Sequence, residues 1–329
     1  MTQAFNLSQL ANGANTSGQL NASTYLFNQV PVANGGTALS SAGAAGNMLV
    51  ASSASAYSAV TMPTFGYRNR IINGNMVVAQ RGVTTSVGGS DTYTLDRWAG
   101  IAAGANFTVT QGSLSTRNVL VAIGVSGNTL ADIFQRIESL NIIDLTSTTC
   151  TVSLDLFSND GRSITWEVYS ANSVNNFASK TLIATGALTT TSGSYVPRTF
   201  QFTNTAAAAN GIELRFKFGA LGSGTQCALS NVQLERGSIA TAFDVRDYGR
   251  ELIMCQRYYE SADWILTSDG GNGAYQNIGS WQVKKRATPT VTTVTGVGGS
   301  FTPVGTTGFR QDSNPSGFAG CTVNGAVEL

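Results

Sequence analysis

Histidine is absent from all 329 residues. That single absence excludes Ser-His-Asp triads, Cys-His pairs and His-ligated metal centres together, and leaves an enzyme only carboxylate, Lys, Tyr or cofactor chemistry. Charge is scarce as well: Asp, Glu, Lys and Arg make up 11% of the chain, with 19 basic against 18 acidic residues. A net charge of +1 gives no electrostatic ground for nucleic acid or an anionic membrane as partner. No run of about 20 apolar residues is available to cross a bilayer. Met1 to Leu10 has neither a basic n-region nor an apolar h-region, which predicts a protein made in a cytosol and not Sec-exported. The four cysteines, Cys150, Cys227, Cys255 and Cys321, form no CxxC pair, so buried free thiols are expected rather than a zinc or redox site. No cofactor is predicted.

What is present is unevenly distributed. From Met1 to Tyr67 there is no Asp, Glu, Lys or Arg, and the first charge is Arg68. Ala, Ser, Asn, Gly and Thr dominate this stretch, with too few large apolar groups to offset chain entropy in a single copy. Residues 1–67 are therefore expected to be ordered by partner chains, as an extended assembly segment around which identical copies pack closely. A flexible linker is the competing reading.

From Arg68 the texture changes to alternating strands separated by Gly, Asn and Ser turns, the pattern of an all-β sandwich over 68–246. Predicted strands cover Asn75 to Gln80, Phe107 to Gln111, Asp132 to Ile137, Thr151 to Phe157, Ser163 to Tyr169, Tyr195 to Phe202, Ile212 to Phe218 and Ala228 to Leu234. In IELRFKF, Ile212, Leu214, Phe216 and Phe218 take one face and Glu213, Arg215 and Lys217 the other. One helical pattern follows over 247–261, capped by Asp247, with Leu252, Cys255, Tyr258 and Tyr259 at helical spacing. Beyond it, 262–329 reads as a smaller β module in which Pro289 favours a strand start or edge.

The runs RNRIINGNMVVAQRG (68–82), YTLDRWAG (93–100), QRIES (135–139), ALSNVQLERGSIATAF (228–243), CQRYYE (255–260) and VKKRATPTV (283–291) occur in this order. Together they resemble the carbohydrate-binding-module-like region of tailed-phage and prophage tail fibre proteins. The segment VPVANGGTALSSAGAAGNMLVAS (30–52) resembles the fibre repeats of the same proteins. The resemblance implies a jelly-roll sandwich, a homotrimer, and an N-terminus bound to a phage baseplate or tail protein. It also implies binding to host-surface polysaccharide or lipopolysaccharide by the distal module. Its host, ligand and contact residues do not transfer.

The candidate ligand-binding residues are Trp264, Tyr275 and Trp281. They follow the helix in a Gly- and Asn-rich stretch, where aromatics stack against sugar faces and Asn or Asp groups bond hydroxyls. Packing in a trimer interface is the alternative. Other features have plainer readings. INGNM, TLDRW and SNVQLERG are expected to be core architecture, Asp96 and Arg97 to fix a loop beside Trp98, and Trp166 to be core. Asp155 and Asp160 as a glycosidase pair lack anything to bring them together. Asp91 and Asp269 as calcium ligands lack EF-hand-like spacing. The expectation is a non-enzymatic tail fibre; a purely structural fibre or a polysaccharide-degrading spike are the alternatives.

Overall fold

The computed structural model describes residues 47–53, 56–61, 68–114, 117–266, 278–295, 301–311 and 319–329. The chain divides into two compact units, Met1–Gly66 and Tyr67–Leu329. In the first, β1 (Asn47–Ser53) and β2 (Ala56–Thr61) form an antiparallel hairpin. The rest of the charge-free segment lies outside the described residues.

The second unit opens with twelve strands: β3 (Thr84–Val87), β4 (Thr92–Tyr93), β5 (Ala99–Gly104), β6 (Phe107–Leu114), β7 (Arg117–Ile123), β8 (Asn128–Ile137), β9 (Thr149–Ser158), β10 (Ser163–Ser173), β11 (Asn176–Thr189), β12 (Val196–Thr203), β13 (Ile212–Gly219) and β14 (Gln226–Arg236). They form two six-stranded antiparallel sheets, β11-β10-β13-β8-β5-β4 and β12-β9-β14-β7-β6-β3. From β8 onward the chain switches sheets repeatedly, the crossing pattern of a jelly roll. The first sheet contributes Ile164, Trp166, Val168, Leu214 and Phe216 to one core, and the second contributes Val152, Leu154, Leu156, Leu229 and Leu234. Trp166 stacks on Phe200 across the sandwich at 3.9 Å, and Gly186 leaves room for its ring, since a Cβ there would lie 2.7 Å from it.

Two sequence expectations change. Asn75 to Gln80 is a loop, not a strand. Its apolar residues Met76 and Val78 are buried, but the backbone is held by side chains: Asn73 donates to the carbonyls of Val78 and Asp96 and accepts from the Val78 amide. The helix is also shorter. After α1 (Ser139–Ile142), α2 spans Tyr248–Gln256, and Tyr259 already opens a strand. Asp247 caps it as expected, accepting from the Arg250 amide at 3.0 Å.

After α2 come β15 (Tyr259–Leu266), β16 (Ile278–Ser280), β17 (Thr290–Thr295), β18 (Phe301–Val304), β19 (Gly308–Gln311) and β20 (Ala319–Ala326), in sheets β15-β20-β17 and β16-β19-β18. Pro289 directly precedes the edge strand β17. This module is clasped to the sandwich. Glu328 lies between Arg81 and Arg97, which sit 3.7 Å above the Tyr259 ring and 3.5 Å above the Tyr258 ring. The Leu329 carbonyl accepts from Tyr93 and Arg136, and Glu138 pairs with both Arg257 and Arg286.

Candidate functional site

The motifs that carry the resemblance converge on a buried polar junction. Asn69 bonds the Val232 carbonyl and the Ile71 and Leu234 amides, Gln135 bonds both main-chain groups of Ile72, and the Trp98 indole donates to the Asn73 carbonyl. Glu251 accepts from Arg246 and the Asn73 amide. Asp96 is 1% exposed and takes two donors from Gln80, while Arg97 is 1% exposed and paired with Glu328. These residues fasten loops and strands, as architecture, and offer no open surface.

The three predicted ligand residues fare differently. Trp281 is 6% exposed, packed 4.6 Å from Phe309 and beside Val323, and Gly325 approaches so closely that a Cβ would lie 2.6 Å from the indole. It belongs to the core of the C-terminal module, with Lys285 Nζ 5.0 Å from its ring. Gly325 on β20 lets the backbone close over the indole, and Gly279 on β16 makes the same room for the Phe309 ring packed against it. Trp264 lies in β15, but its side chain is outside the description, and Tyr275 lies outside the described residues. Of the other carboxylates, Asp91 pairs with Arg136, Asp155 with Arg117 and Asp160 with Arg162, so each is engaged by a different arginine.

Charge concentrates instead on the outer face of the first sheet. Of 18 acidic and 19 basic residues in the chain, Asp91, Asp132, Glu167 and Glu213 meet Arg136, Lys180, Arg215 and Lys217 here. Alternation builds the face. While Trp166, Val168, Leu214 and Phe216 point inward, Glu167, Tyr169, Glu213, Arg215 and Lys217 point outward, and antiparallel register sets Glu167 beside Arg215 and Glu213 beside Arg136. Phe134 also faces outward. It is fully buried there because Arg215 and Arg136 lie over its ring at 4.5 and 4.9 Å.

Glu213, at 0% exposure, is the hub, with Lys180 at 2.6 Å, Arg215 at 2.8 Å and Arg136 at 2.9 Å. Burial works against its charge, but these three cations outweigh it and hold the carboxyl below its ordinary value. Asp132 goes the other way: burial raises it, only partly offset by Arg215 at 3.0 Å. Its Oδ1 is buried with no donor among the described residues. Glu167 ties Lys217 at 3.1 Å to the Tyr169 hydroxyl at 2.7 Å, and burial with that bond pushes the phenol up to about 12. Tyr169 is half-buried, the Lys217 side chain is 36% exposed, and Leu182 beyond them is exposed. The face thus presents a ring, an ammonium and a carboxylate whose positions are set from below. The alternation in SITWEVYS and IELRFKF marks Glu167, Tyr169, Glu213, Arg215 and Lys217 as outward-facing, but their meeting depends on the pairing of β10 with β13.

No known family profile matches the chain, and no curated protein matches it. Among solved structures, a CBM4 carbohydrate-binding module is similar over 50% of this chain and 98% of its own, with 13% identity and a TM-score of 0.35. The enzymatically active domain of tailspike protein 4 from bacteriophage CBA120 is similar over 52% of this chain and 22% of its own, with 16% identity and a TM-score of 0.36. A cyclase from Fischerella sp. TAU is similar over 54% of this chain and all of its own, with 16% identity and a TM-score of 0.37. Binding modules and enzymes thus occur side by side at low similarity, and the sandwich assignment rests on the sheet topology itself.

Proposed function

We propose that this chain is a non-enzymatic tail fibre protein of a tailed phage that attaches to host-surface polysaccharide or lipopolysaccharide through the outer face of the first sheet. Made in the host cytoplasm, it enters the virion as a homotrimer held at a baseplate or tail protein by residues 1–67. The resemblance of the ordered motifs supports the virion role. The sugar-binding role is carried by one observation: charged pairs around Glu213 and Glu167 fix hydrogen-bonding groups beside the half-buried Tyr169 ring, which the Lys180 ammonium approaches at 4.7 Å. Sugars are held by such preset donors and acceptors next to an aromatic surface, so that little side-chain entropy is lost on binding. Three weak sites on a trimer add avidity without a tight single contact.

Glycan-array binding by the full chain, with and without Tyr169→Ala, tests this. The expected result is retention of host polysaccharide by the wild type and at least tenfold weaker retention by the variant. No retention of any glycan favours a purely structural fibre, and release of reducing sugar favours a polysaccharide-degrading spike.

A further inference from the structure

We infer that the outer face of the second sheet carries a separate sugar site, built on Phe157 and Tyr195, that takes an uncharged pyranose by its apolar face. It lies on the opposite sheet from the proposed attachment face and rests on its own residues.

Along β9, Val152, Leu154 and Leu156 point into the core, so Phe157 points out, where the sandwich has no packing use for a phenyl ring. Tyr195, just before β12, stacks on it with ring centroids 4.8 Å apart and planes 26° from parallel. Both are only half-buried. In register beside Phe157 stand Ala228 on β14, itself fully buried, and then the half-buried Val121 on β7. Arg117 lies 5.7 Å from the Tyr195 ring, and the half-exposed aromatic surface that the pair leaves matches the C–H face of a pyranose.

Polar groups stand at one edge. Asp155, two residues before Phe157 on the same face, accepts from Arg117 at 2.5 Å and from the Asn231 amide at 2.8 Å. Both donors use Oδ2, which leaves Oδ1 to accept from a hydroxyl. Asn231 is aimed there by a bulge: the β14 register shifts between Ser230 and Gln233, and Asn231 has a φ of 50°, a conformation that side-chain-bearing residues seldom adopt. The side chains of Arg117 and Asp155 are 34% and 17% exposed, so solvent or a ligand reaches them. Their charges cancel, which selects an uncharged sugar over a uronic acid: a carboxylate would meet Asp155 as readily as Arg117.

Isothermal titration of the full chain with cellotriose, β-1,4-galactotriose, mannotriose and chitotriose, and with trigalacturonate as the charged probe, tests the site. Tyr195→Ala and Asp155→Asn are compared with Tyr169→Ala and with wild type, each checked for an unchanged melting midpoint and unchanged light-scattering mass. The expected result is that at least one uncharged trisaccharide binds, that Tyr195→Ala and Asp155→Asn each weaken it at least tenfold, and that Tyr169→Ala leaves this component intact. Should uncharged sugars bind but respond only to Tyr169→Ala, the second site is wrong while the attachment face stands. Binding lost only with Tyr195→Ala and Asp155→Asn, with nothing lost in Tyr169→Ala, leaves the second site alone standing. Preference for trigalacturonate at Tyr195, a fall in mass with Tyr195→Ala that marks the shelf as a contact between copies, or no sugar bound at all would each overturn the inference.

Discussion

Glu213 shows how one residue organises a surface in a chain this poor in charge. Its carboxylate is fully buried against three cations, so Glu213→Gln strands Lys180, Arg136 and Arg215 without their common partner. Removing one member of a buried ionic cluster costs more than the cluster contributes as a whole. Because Arg136 and Arg215 keep Asp91 and Asp132, the expected loss is about 2 to 3 kcal/mol, read by denaturant titration. The pH dependence follows from direction alone. A carboxyl held below its unfolded value of about 4.3 contributes stability that is present above that pH and disappears as pH falls through the folded value. The difference between wild type and variant should therefore be constant above about pH 5 and close on acidification; a constant difference at pH 3 contradicts the assigned pairing. Trp281 makes the contrasting case. As a core residue it should cost about 3 to 5 kcal/mol on Trp281→Ala, whereas a surface ligand contact would leave the melting midpoint unmoved.

At the scale of elements, local chemistry and tertiary context divide the work. Helix α2 starts where a capping Asp predicts it, and Asp247→Ala should cost about 1 kcal/mol by thermal melting, with sheet content unchanged. Strands with strict alternation were legible, as β9, β10 and β13 show, because one apolar side chain in two must reach the core. The loop at Asn75 to Gln80 was not. Its apolar spacing imitates a strand, but Asn73 ties it to Asp96, Trp98 and Glu251 and Gly74 holds it against β14, contacts made far along the chain: the Val232 amide donates to the Gly74 carbonyl, and a Cβ on Gly74 would lie 2.2 Å from the Val232 carbonyl oxygen. Helical periodicity likewise carried past Gln256 to Tyr259, since Tyr258 and Tyr259 are buried for another reason, as floors for Arg97 and Arg81. The charged face was half legible. Alternation places Glu213, Arg215 and Lys217 together, but their meeting with Asp132, Lys180 and Glu167 needs a strand order that no local pattern encodes.

For the whole molecule, the sandwich and the C-terminal module belong to one compact unit, joined by Glu328, Glu138 and the polar junction, while the role proposed for residues 1–67 is assembly. Small uncharged side chains allow close approach of several copies without charge desolvation, so Gly35→Asp with Gly36→Asp should convert a trimer to monomers by light scattering. A monomeric wild type would count against that role. Glycan binding proposed for the outer face of the first sheet is read by isothermal titration of host-surface polysaccharide into the full chain and its Tyr169→Ala, Lys217→Ala double variant. With the melting midpoint of the double variant matched to wild type, the account predicts at least a tenfold loss of affinity. Equal affinity in a correctly folded double variant would contradict it.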